Sequence, residues 1–198
     1  MYLEKYKSDI ASAKKFLATC DTKTKNTALD FVAKALEEDK QEIISENAKD
    51  VAEGKENNMS KALLDRLMLD EGRIDGMIQS IYDVIALDDP VGKSRFVNTL
   101  ENGLRLIKIS VPLGAIAVIY EARPNVTLDS FVLCFKSSNA VILRGSSNSM
   151  RSNIAIENAI KKGLAKAGIP ESVIHLIKDP DRDIVDEILT ANDIVDLA

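Results

Sequence analysis

The 198-residue sequence has little of what several classes of protein require. It contains two cysteines, one histidine and no tryptophan. Cys20 and Cys134 are too few and too isolated for a disulfide framework or a zinc site, and His175 lacks the soft partners of a metal centre. A net charge of −5 and a pI near 5.1 argue against generic nucleic-acid binding, which usually requires a basic surface. We therefore predict no metal and no nucleic-acid partner.

Long hydrophobic runs are also missing. No apolar run approaches the ~20 residues that a membrane-spanning helix needs, and the first ten residues lack the apolar core of a signal peptide. With 45% hydrophobic and 29% charged residues, the composition is that of an ordinary globular protein. These features predict a cytoplasmic protein without a membrane partner.

Residues 1–93 are predicted to be helical, because apolar residues recur at helical spacing. The pattern is clear in Tyr2–Ala18 and again in Gln41–Ala52. Gly and Asn in Glu53–Asn58 predict a break between helices. The predicted helix N-caps are Asp21 or Thr22, Ser60 and Asp70.

Residues 94–111 are predicted to form a β-hairpin arm. Asn102 and Gly103 lie between two β-prone runs, and Asn-Gly is typical of a two-residue turn in which both residues have positive φ. Such a hairpin either extends a sheet or projects as an arm that pairs with another subunit.

Residues 112–198 alternate between strands and helices, which predicts a Rossmann-like cofactor-binding part. Apolar residues at i, i+3, i+4 and i+7 mark the first helix: Leu128, Phe131, Val132 and Phe135. The second helix is predicted to begin near Asn148 or Ser149, and the third after Asp179 or Asp181. The predicted strands are Ile116–Tyr120, Ala140–Leu143, Val173–Ile177 and Ile194–Leu197. The pattern predicts an α/β fold: a three-layer αβα, doubly wound parallel sheet with a helical N-terminal region and the hairpin arm.

Polar residues follow the first two of these strands, at the edge where ligands bind in open α/β sheets. In Tyr120–Thr127 (YEARPNVT), Asn125 either donates to a developing oxyanion or caps the following helix, and the residue types alone favour the cap. Arg123 either binds a carboxylate or phosphate or makes a surface ion pair.

The second polar segment, Arg144–Asn148 (RGSSN), precedes a predicted helix. Small hydroxyl residues and free N–H groups at a helix N-terminus are suited to an anion. The segment is neither G-x-G-x-x-G nor a Walker loop, so the pattern alone is not specific for a nucleotide. An acid after this strand usually selects NAD, whereas a basic residue such as Arg144 suits the 2′-phosphate of NADP.

The remaining reactive residue types have simpler interpretations. Cys134 lies beside Phe131 and Phe135 and is predicted to be buried packing. His175, inside an apolar strand, is predicted to be a core histidine with satisfied hydrogen bonds. No Ser/His/Asp or Cys/His constellation is found.

Three segments carry a resemblance to a known family: VPLGAIAVIYEARPNVTLDSF, SSNAVILRGSSNSMRSN and GLAKAGIPESVIHLI. They closely resemble the gamma-glutamyl phosphate reductase family of the aldehyde dehydrogenase superfamily, and the likeness covers essentially the whole chain. It implies NADPH-dependent reduction of L-glutamyl 5-phosphate to L-glutamate 5-semialdehyde in proline biosynthesis, through a thioester on a cysteine. It also implies homo-oligomers that form through the hairpin.

The resemblance implies roles for individual residues. Asn125 would hold the thioester oxygen, and Arg123 would bind substrate. The implied cofactor-binding residues are Tyr120, Glu121 and Ala122 at the nicotinamide end, and Arg144, Gly145, Ser146 and Ser147 at the phosphate end.

The sequence departs from the family in length, since family members are about twice as long and continue into a glycine-rich cofactor loop and a catalytic cysteine domain. Neither Cys20 nor Cys134 stands where the family's nucleophile does. We expect a fragment that corresponds to the amino-terminal half and is inactive alone. The alternatives are a truncated, non-catalytic module for NADPH binding or subunit association, and a different aldehyde dehydrogenase relative.

Overall fold

The structure, a computed structural model, describes residues 2–198 apart from the side chain of Arg95. Its N-terminal part is helical, as predicted. A 3₁₀ turn at Leu3–Tyr6 precedes five helices: α1 (Lys7–Ala18), α2 (Thr22–Glu38), α3 (Lys40–Glu56), α4 (Lys61–Leu67) and α5 (Glu71–Ala86). The N-caps at Asp21, Ser60 and Asp70 are confirmed, because each side chain accepts a hydrogen bond from the amide three residues later.

The predicted break at Glu53–Asn58 is largely wrong, since α3 continues through Glu56. Gly54 is buried inside the helix, where a Cβ would lie 3.2 Å from Leu64 Cδ2 and 3.4 Å from Met59 Sδ. The glycine therefore allows close packing rather than ending the helix. The chain turns only afterwards, at Asn58, whose φ is +55°.

A hairpin is present, but its turn differs from the prediction. Strands β1 (Ser94–Thr99) and β2 (Arg105–Ile109) pair antiparallel. Only Gly103 has positive φ, at +83°, while Asn102 does not. The amide of Gly103 donates to Leu100 O at 2.9 Å, and that of Leu100 donates to Leu104 O at 2.9 Å. The loop therefore has three residues and ends with a left-handed glycine, the next most common hairpin design.

The parallel sheet contains β3 (Ala115–Ile119), β4 (Ala140–Arg144) and β5 (Ile174–Leu176), in the order β3-β4-β5. Of the predicted strand at Ile194–Leu197, only the last two residues pair with the sheet, on the free side of β3. The amide of Asp196 donates to Ala115 O at 2.9 Å, the amide of Ala117 donates to Leu197 O at 2.7 Å, and Leu197 forms one parallel bridge with Ile116. The amides of Ile194 and Val195 both donate to Ala191 O at 2.9 Å. This turn prevents them from joining the sheet.

Three further helices are α6 (Asn125–Lys136), α7 (Met150–Lys166) and α8 (Asp183–Thr190), and a 3₁₀ turn at Ser147–Ser149 precedes α7. Helix α6 contacts β4, α7 contacts β5, and α1 contacts β4 and the turn before β5. The apolar stripe of α6 is fully buried, as its spacing predicted. The α/β fold class, with a parallel sheet covered by helices, is confirmed.

The N-terminal helices pack on α6 and α7, which in turn contact the strands of the parallel sheet. Helices α2 and α3 lie against α7, and α5 lies against α6. Gly163 of α7 allows a close approach to α2, because a Cβ there would lie 2.5 Å from Val32 Cα. At the other end of the chain, Glu187 of α8 accepts hydrogen bonds from the amides of Tyr2 (2.8 Å) and Leu3 (2.7 Å). No helix in residues 2–198 is long and apolar enough to cross a membrane.

Candidate functional site

The parallel sheet brings the two predicted polar segments side by side. Ile119 is in register with Arg144, and the amide of Tyr120 donates to Arg144 O at 3.0 Å. A pocket of about 340 Å³ opens at this edge, and we call it the strand-end pocket. Its lining residues are Tyr120, Glu121, Ala122, Arg144, Ser146, Asn148, Met59 and Leu63. Five residues predicted from the sequence therefore share one pocket.

Arg144 is held in this pocket by main-chain oxygens. Its Nη1 donates to Gly145 O at 3.0 Å, and its Nη2 donates to Pro180 O at 3.1 Å and to Asp181 O at 3.4 Å. Its buried Nε has no hydrogen-bond partner among the described residues. No carboxylate there pairs with the guanidinium, so its positive charge is not neutralised.

Gly145 and Ser147 occupy different positions from the lining residues. Gly145 is buried, and a Cβ would collide with Asn153 and lie 3.0 Å from the Tyr120 ring. Only glycine therefore fits between these side chains. Ser147 is exposed on the 3₁₀ turn and does not line the pocket, whereas Ser146 Oγ accepts from the Asn148 amide at 3.2 Å.

A chain of hydrogen bonds connects Tyr120, which lines the strand-end pocket, to α6 and to the start of α7. The Tyr120 hydroxyl lies 2.7 Å from Thr127 Oγ1, which donates to Asn153 Oδ1 at 3.1 Å. Asn153 Nδ2 in turn donates to Ser149 Oγ at 3.2 Å. Because Thr127 uses its hydrogen on Asn153, it accepts from Tyr120. Burial raises the pKa of Tyr120 to about 12, so this phenol stays protonated and acts as a fixed support.

Arg123 and Asn125 lie in a separate place. They line a neighbouring cleft of about 470 Å³ between α4, α5 and the start of α6. Asp129 and Arg73 also line this cleft. Arg123 is exposed and forms no ion pair with the described part of the chain. The structure thus divides the predicted site between two adjoining cavities.

The N-cap interpretation of Asn125 is wrong. Asn125 is the first residue of α6, and Pro124, in the αR conformation, precedes it as the N-cap. The helical turn begins early because Pro124 O already accepts from the Thr127 amide at 3.1 Å. Asn125 Nδ2 donates to Asp129 Oδ2 at 3.0 Å, which leaves its second amide hydrogen free. Burial raises the pKa of Asp129, and the hydrogen bond from Asn125 opposes that rise.

Cysteine and histidine do not contribute to either cavity. Cys134 is buried, as predicted, and burial raises the pKa of its thiol to about 11. Burial also raises the pKa of Cys20. His175 is half-buried, its ring centroid lies 3.8 Å from that of Tyr6, and burial lowers its pKa to about 4. The prediction that its hydrogen bonds are satisfied is wrong, because Nε2 has no partner within the described residues.

A buried polar network joins α3 to α7, and the sequence interpretation missed it. Asp50 Oδ2 accepts from Ser152 N at 2.8 Å and from Ser152 Oγ at 2.6 Å. Asn47 donates to Ser152 Oγ at 3.0 Å and accepts from the Leu69 amide at 2.7 Å. The available signal was the position of Asn47 and Asp50, four and seven residues after the buried Ile43 on one face of α3.

Relatives of known name match the chain in sequence, although no protein-family model does. The gamma-glutamyl phosphate reductase of Alkaliphilus metalliredigens (strain QYMF) is 50% identical over 188 residues, which is 95% of this chain and 45% of that protein. That of Clostridium novyi (strain NT) is 44% identical over 201 residues, 100% of this chain and 48% of that protein. The chain therefore spans about half the length of the curated relatives it matches.

Solved structures give the same result for the fold. The gamma-glutamyl phosphate reductase of Thermotoga maritima superposes with a TM-score of 0.93 at 38% identity, over 98% of this chain and 47% of that chain. The Saccharomyces cerevisiae protein of the same name superposes with a TM-score of 0.87 at 29% identity, over 96% of this chain and 49% of that chain. An acetylating aldehyde dehydrogenase from Geobacillus thermoglucosidasius, at 14% identity and a TM-score of 0.67 over 97% of this chain and 40% of that chain, shares the fold alone.

Proposed function

This chain is a homologue of the gamma-glutamyl phosphate reductases over about half of their length, and from that premise we propose that it is the cofactor-binding half of such an enzyme. The complete reaction is the NADPH-dependent reduction of L-glutamyl 5-phosphate to L-glutamate 5-semialdehyde in proline biosynthesis, with release of phosphate. The fold implies a nicotinamide cofactor. The observation that carries the proposal is the strand-end pocket, with the un-neutralised Arg144 at the carboxyl edge of a parallel sheet.

The residues of the pocket fit a dinucleotide. Arg144 and Ser146 both line the pocket and offer donors to a ribose 2′-phosphate. Glu121, which follows the neighbouring strand β3, can accept hydrogen bonds from the ribose hydroxyls. Gly145 keeps the backbone between the strand and α7 free of any side chain. When bound, NADPH would supply the hydride.

The neighbouring cleft is proposed to hold the reacting group of the substrate. The free amide hydrogen of Asn125 would donate to the acyl oxygen as negative charge develops there. Asp129 holds the amide in one orientation, and the exposed guanidinium of Arg123 would attract the anionic substrate. Arg123 and Asn125 closely follow Tyr120–Ala122, which line the strand-end pocket. The proposed substrate and cofactor sites are therefore adjacent, as the reaction between substrate and cofactor requires.

Replacing Arg144 with methionine tests the cofactor assignment. We expect the Kd for NADPH to rise about 10- to 100-fold, since charge-assisted hydrogen bonds to the 2′-phosphate are lost, while the Kd for NADH changes little. Isothermal titration calorimetry of the purified chain with both nucleotides measures this. Arg182→Met, at an exposed arginine that does not line the pocket, is the charge-matched control. Equal binding of NADPH and NADH by the unaltered chain, or no binding of either, would remove the assignment.

The two cysteines favour a second candidate, a binding module without catalysis. Burial raises the pKa of the Cys134 thiol to about 11, so this side chain is a buried, protonated thiol at pH 7 rather than a nucleophilic thiolate. We expect the purified chain to show no NADPH oxidation that depends on L-glutamyl 5-phosphate, as followed by absorbance of the reduced nicotinamide. Turnover that Cys134→Ser or Cys20→Ser abolishes would contradict this and would place a nucleophile within the chain.

The hairpin is proposed to pair with another subunit. Neighbouring side chains on both faces of the two strands are apolar and exposed: Phe96, Val97, Leu106 and Ile107. Exposed apolar surface of this kind commonly marks an interface. If the purified chain sediments as a monomer at high concentration in a sedimentation-velocity experiment, the hairpin does not mediate self-association of this chain.

A further inference from the structure

The neighbouring cleft holds more positive charge than Arg123 alone accounts for. Three arginines line it, Arg66 of α4, Arg73 of α5 and Arg123 after β3, although the chain as a whole carries a net charge of −5. We infer that Arg66 and Arg123 form a subsite for the phosphoryl group of an acyl phosphate. The inference rests on the proposed function, and it names the group of the substrate that this cleft would hold.

Arg73 is neutralised within the cleft, whereas the other two arginines are not. Its Nη2 donates to Asp65 Oδ1 at 2.8 Å, and this ion pair cancels both charges. Arg66 and Arg123 are exposed, and neither pairs with a carboxylate in the described part of the chain. Asp129 is the only other carboxylate among the lining residues. The cleft therefore has an excess of positive charge that an anionic group would balance.

Arg73 also holds the segment that presents Arg66. Its Nη1 donates to Met68 O at 2.8 Å and to Asp65 O. These two acceptors lie two residues after and one residue before Arg66, so the main chain is fixed on both sides of it. Leu67, the next residue, is fully buried. A ligand would therefore have to order only the side chain of Arg66 and not its backbone.

Arg123 is placed by the turn that leads into α6. Its amide donates to Glu121 O at 2.8 Å, and its carbonyl oxygen accepts from the Val126 amide at 3.1 Å. Two residues later, Asn125 carries the free amide hydrogen that is proposed to donate to the acyl oxygen. In an acyl phosphate, the phosphoryl group is joined through one oxygen to the carbon that bears this acyl oxygen. An acyl oxygen bound at Asn125 thus brings the phosphoryl group close to Arg123.

A phosphoryl group suits two guanidinium groups better than a carboxylate does. It carries roughly −1.5 to −2 charges near neutral pH, whereas a carboxylate carries one. Its oxygens can accept from more than one planar guanidinium fork. The α-carboxylate of a glutamyl substrate is also separated from the acyl carbon by the rest of the side chain. The phosphoryl group is therefore the better match for a pair of arginines beside Asn125.

Inorganic phosphate, which the proposed reaction releases, is the probe for this subsite. We expect it to shift the side-chain amide signals of Asn125 in ¹H–¹⁵N NMR spectra of the purified chain, titrated at constant ionic strength because salt screens exposed charges. Arg66→Met and Arg123→Met are each expected to raise the Kd for phosphate about 5- to 50-fold, since charge-assisted hydrogen bonds are lost.

Two kinds of control variant accompany these substitutions. Arg66→Lys and Arg123→Lys keep the charge but lose the planar fork, so their Kd values are expected to lie between those of the unaltered chain and the methionine variants. Arg182→Met removes an exposed arginine that does not line the cleft, and its Kd is expected to stay within about twofold of the unaltered chain. Circular dichroism checks that each variant is folded. Equal losses in all three methionine variants would show a general effect of charge and overturn the subsite.

Competing sites and the proposed function itself give different results. If Arg144→Met abolishes phosphate binding while Arg66→Met and Arg123→Met do not weaken it, the anion occupies the strand-end pocket and the inference is wrong. If L-glutamate displaces phosphate, the cleft holds the amino-acid head group, and the phosphoryl assignment is wrong. A chain that binds NADPH but not phosphate contradicts the subsite and leaves the cofactor assignment intact. A chain that binds phosphate with the expected losses but does not bind NADPH supports the subsite and removes the cofactor assignment.

Discussion

Gly163→Ala is expected to lower the free energy of unfolding by about 3 kcal/mol, one of the two largest effects we predict for any single substitution in this chain. The new Cβ would lie 2.5 Å from Val32 Cα, 2.6 Å from Val32 N and 2.9 Å from Phe31 C. These are backbone atoms of α2, so no side chain can rotate away, and the two helices must separate. Urea denaturation followed by circular dichroism measures the change.

Gly76→Ala is the matched control for this substitution. Gly76 also lies within a helix, α5, but a Cβ there would meet no atom within 4 Å. Alanine is the better helix former, so this variant is expected to be more stable by about 0.5–1 kcal/mol. The two glycine-to-alanine changes therefore differ in sign. A loss of similar size in both would show that close packing of α2 on α7 is not what requires Gly163.

Lys25→Met is expected to cost a similar amount, about 3 kcal/mol. The Lys25 ammonium is fully buried, lies 2.5 Å from Asp89 Oδ2 and donates to Lys136 O at 3.1 Å and Ser138 Oγ at 3.0 Å. Removing it leaves a largely buried carboxylate without its cation. Lys34→Met, which breaks an exposed pair with Asp30 four residues earlier, is expected to cost about 0.5 kcal/mol or less. Equal losses in the two variants would contradict the importance of burial.

The loss in Lys25→Met should also depend on pH. Burial raises the pKa of Asp89, but bonds from Lys25, the Val91 amide and Thr22 outweigh it, so the pKa in the folded protein lies below its ordinary value. A carboxyl with a lowered folded pKa stabilises the fold above its unfolded pKa of about 3.9, and that stability is lost as the pH falls through the folded pKa. The difference between the two proteins is therefore largest near neutrality and shrinks below about pH 4. Denaturation at pH 7 and pH 3 tests this, and a constant difference would exclude Asp89 as the cause.

The sequence predicted the fold where a single physical pattern dominated. Apolar runs located β3, β4 and β5, and helical spacing located α6, because in each case burial alone selects the structure. The prediction from sequence failed where long-range or main-chain contacts determine the local structure. In the strand expected at Ile194–Leu197, hydrogen bonds to Ala191 O hold the first two residues in a turn and only the last two pair with β3, and composition alone does not reveal such a turn.

The candidate site was predictable in its residues but not in its shape. Polar residues directly after two apolar runs marked Tyr120 and Arg144, and their adjacency follows from the parallel sheet. Whether they are cofactor ligands stays a prediction. The division into two cavities, and the presence of Met59 and Leu63 in the lining of the strand-end pocket, depend on how α3 packs on α7 and α4 packs on α3. That packing is set by side chains about 100 residues apart in sequence, such as Asp50 and Ser152, which no local pattern connects.

The hydrogen bonds from Tyr2 and Leu3 to Glu187 have a consequence for how the chain is made. The partners are 185 and 184 residues apart, so during synthesis these two amides have no native acceptor until α8 is made. At about 5–20 residues per second, that interval is roughly 10 to 40 s. Throughout it the turn at Leu3–Tyr6 lacks its partner in α8, and α1 can contact β4 only after residue 144 has been added. The contacts of Tyr2 and Leu3 with Glu187 are therefore among the last native contacts that the growing chain can make.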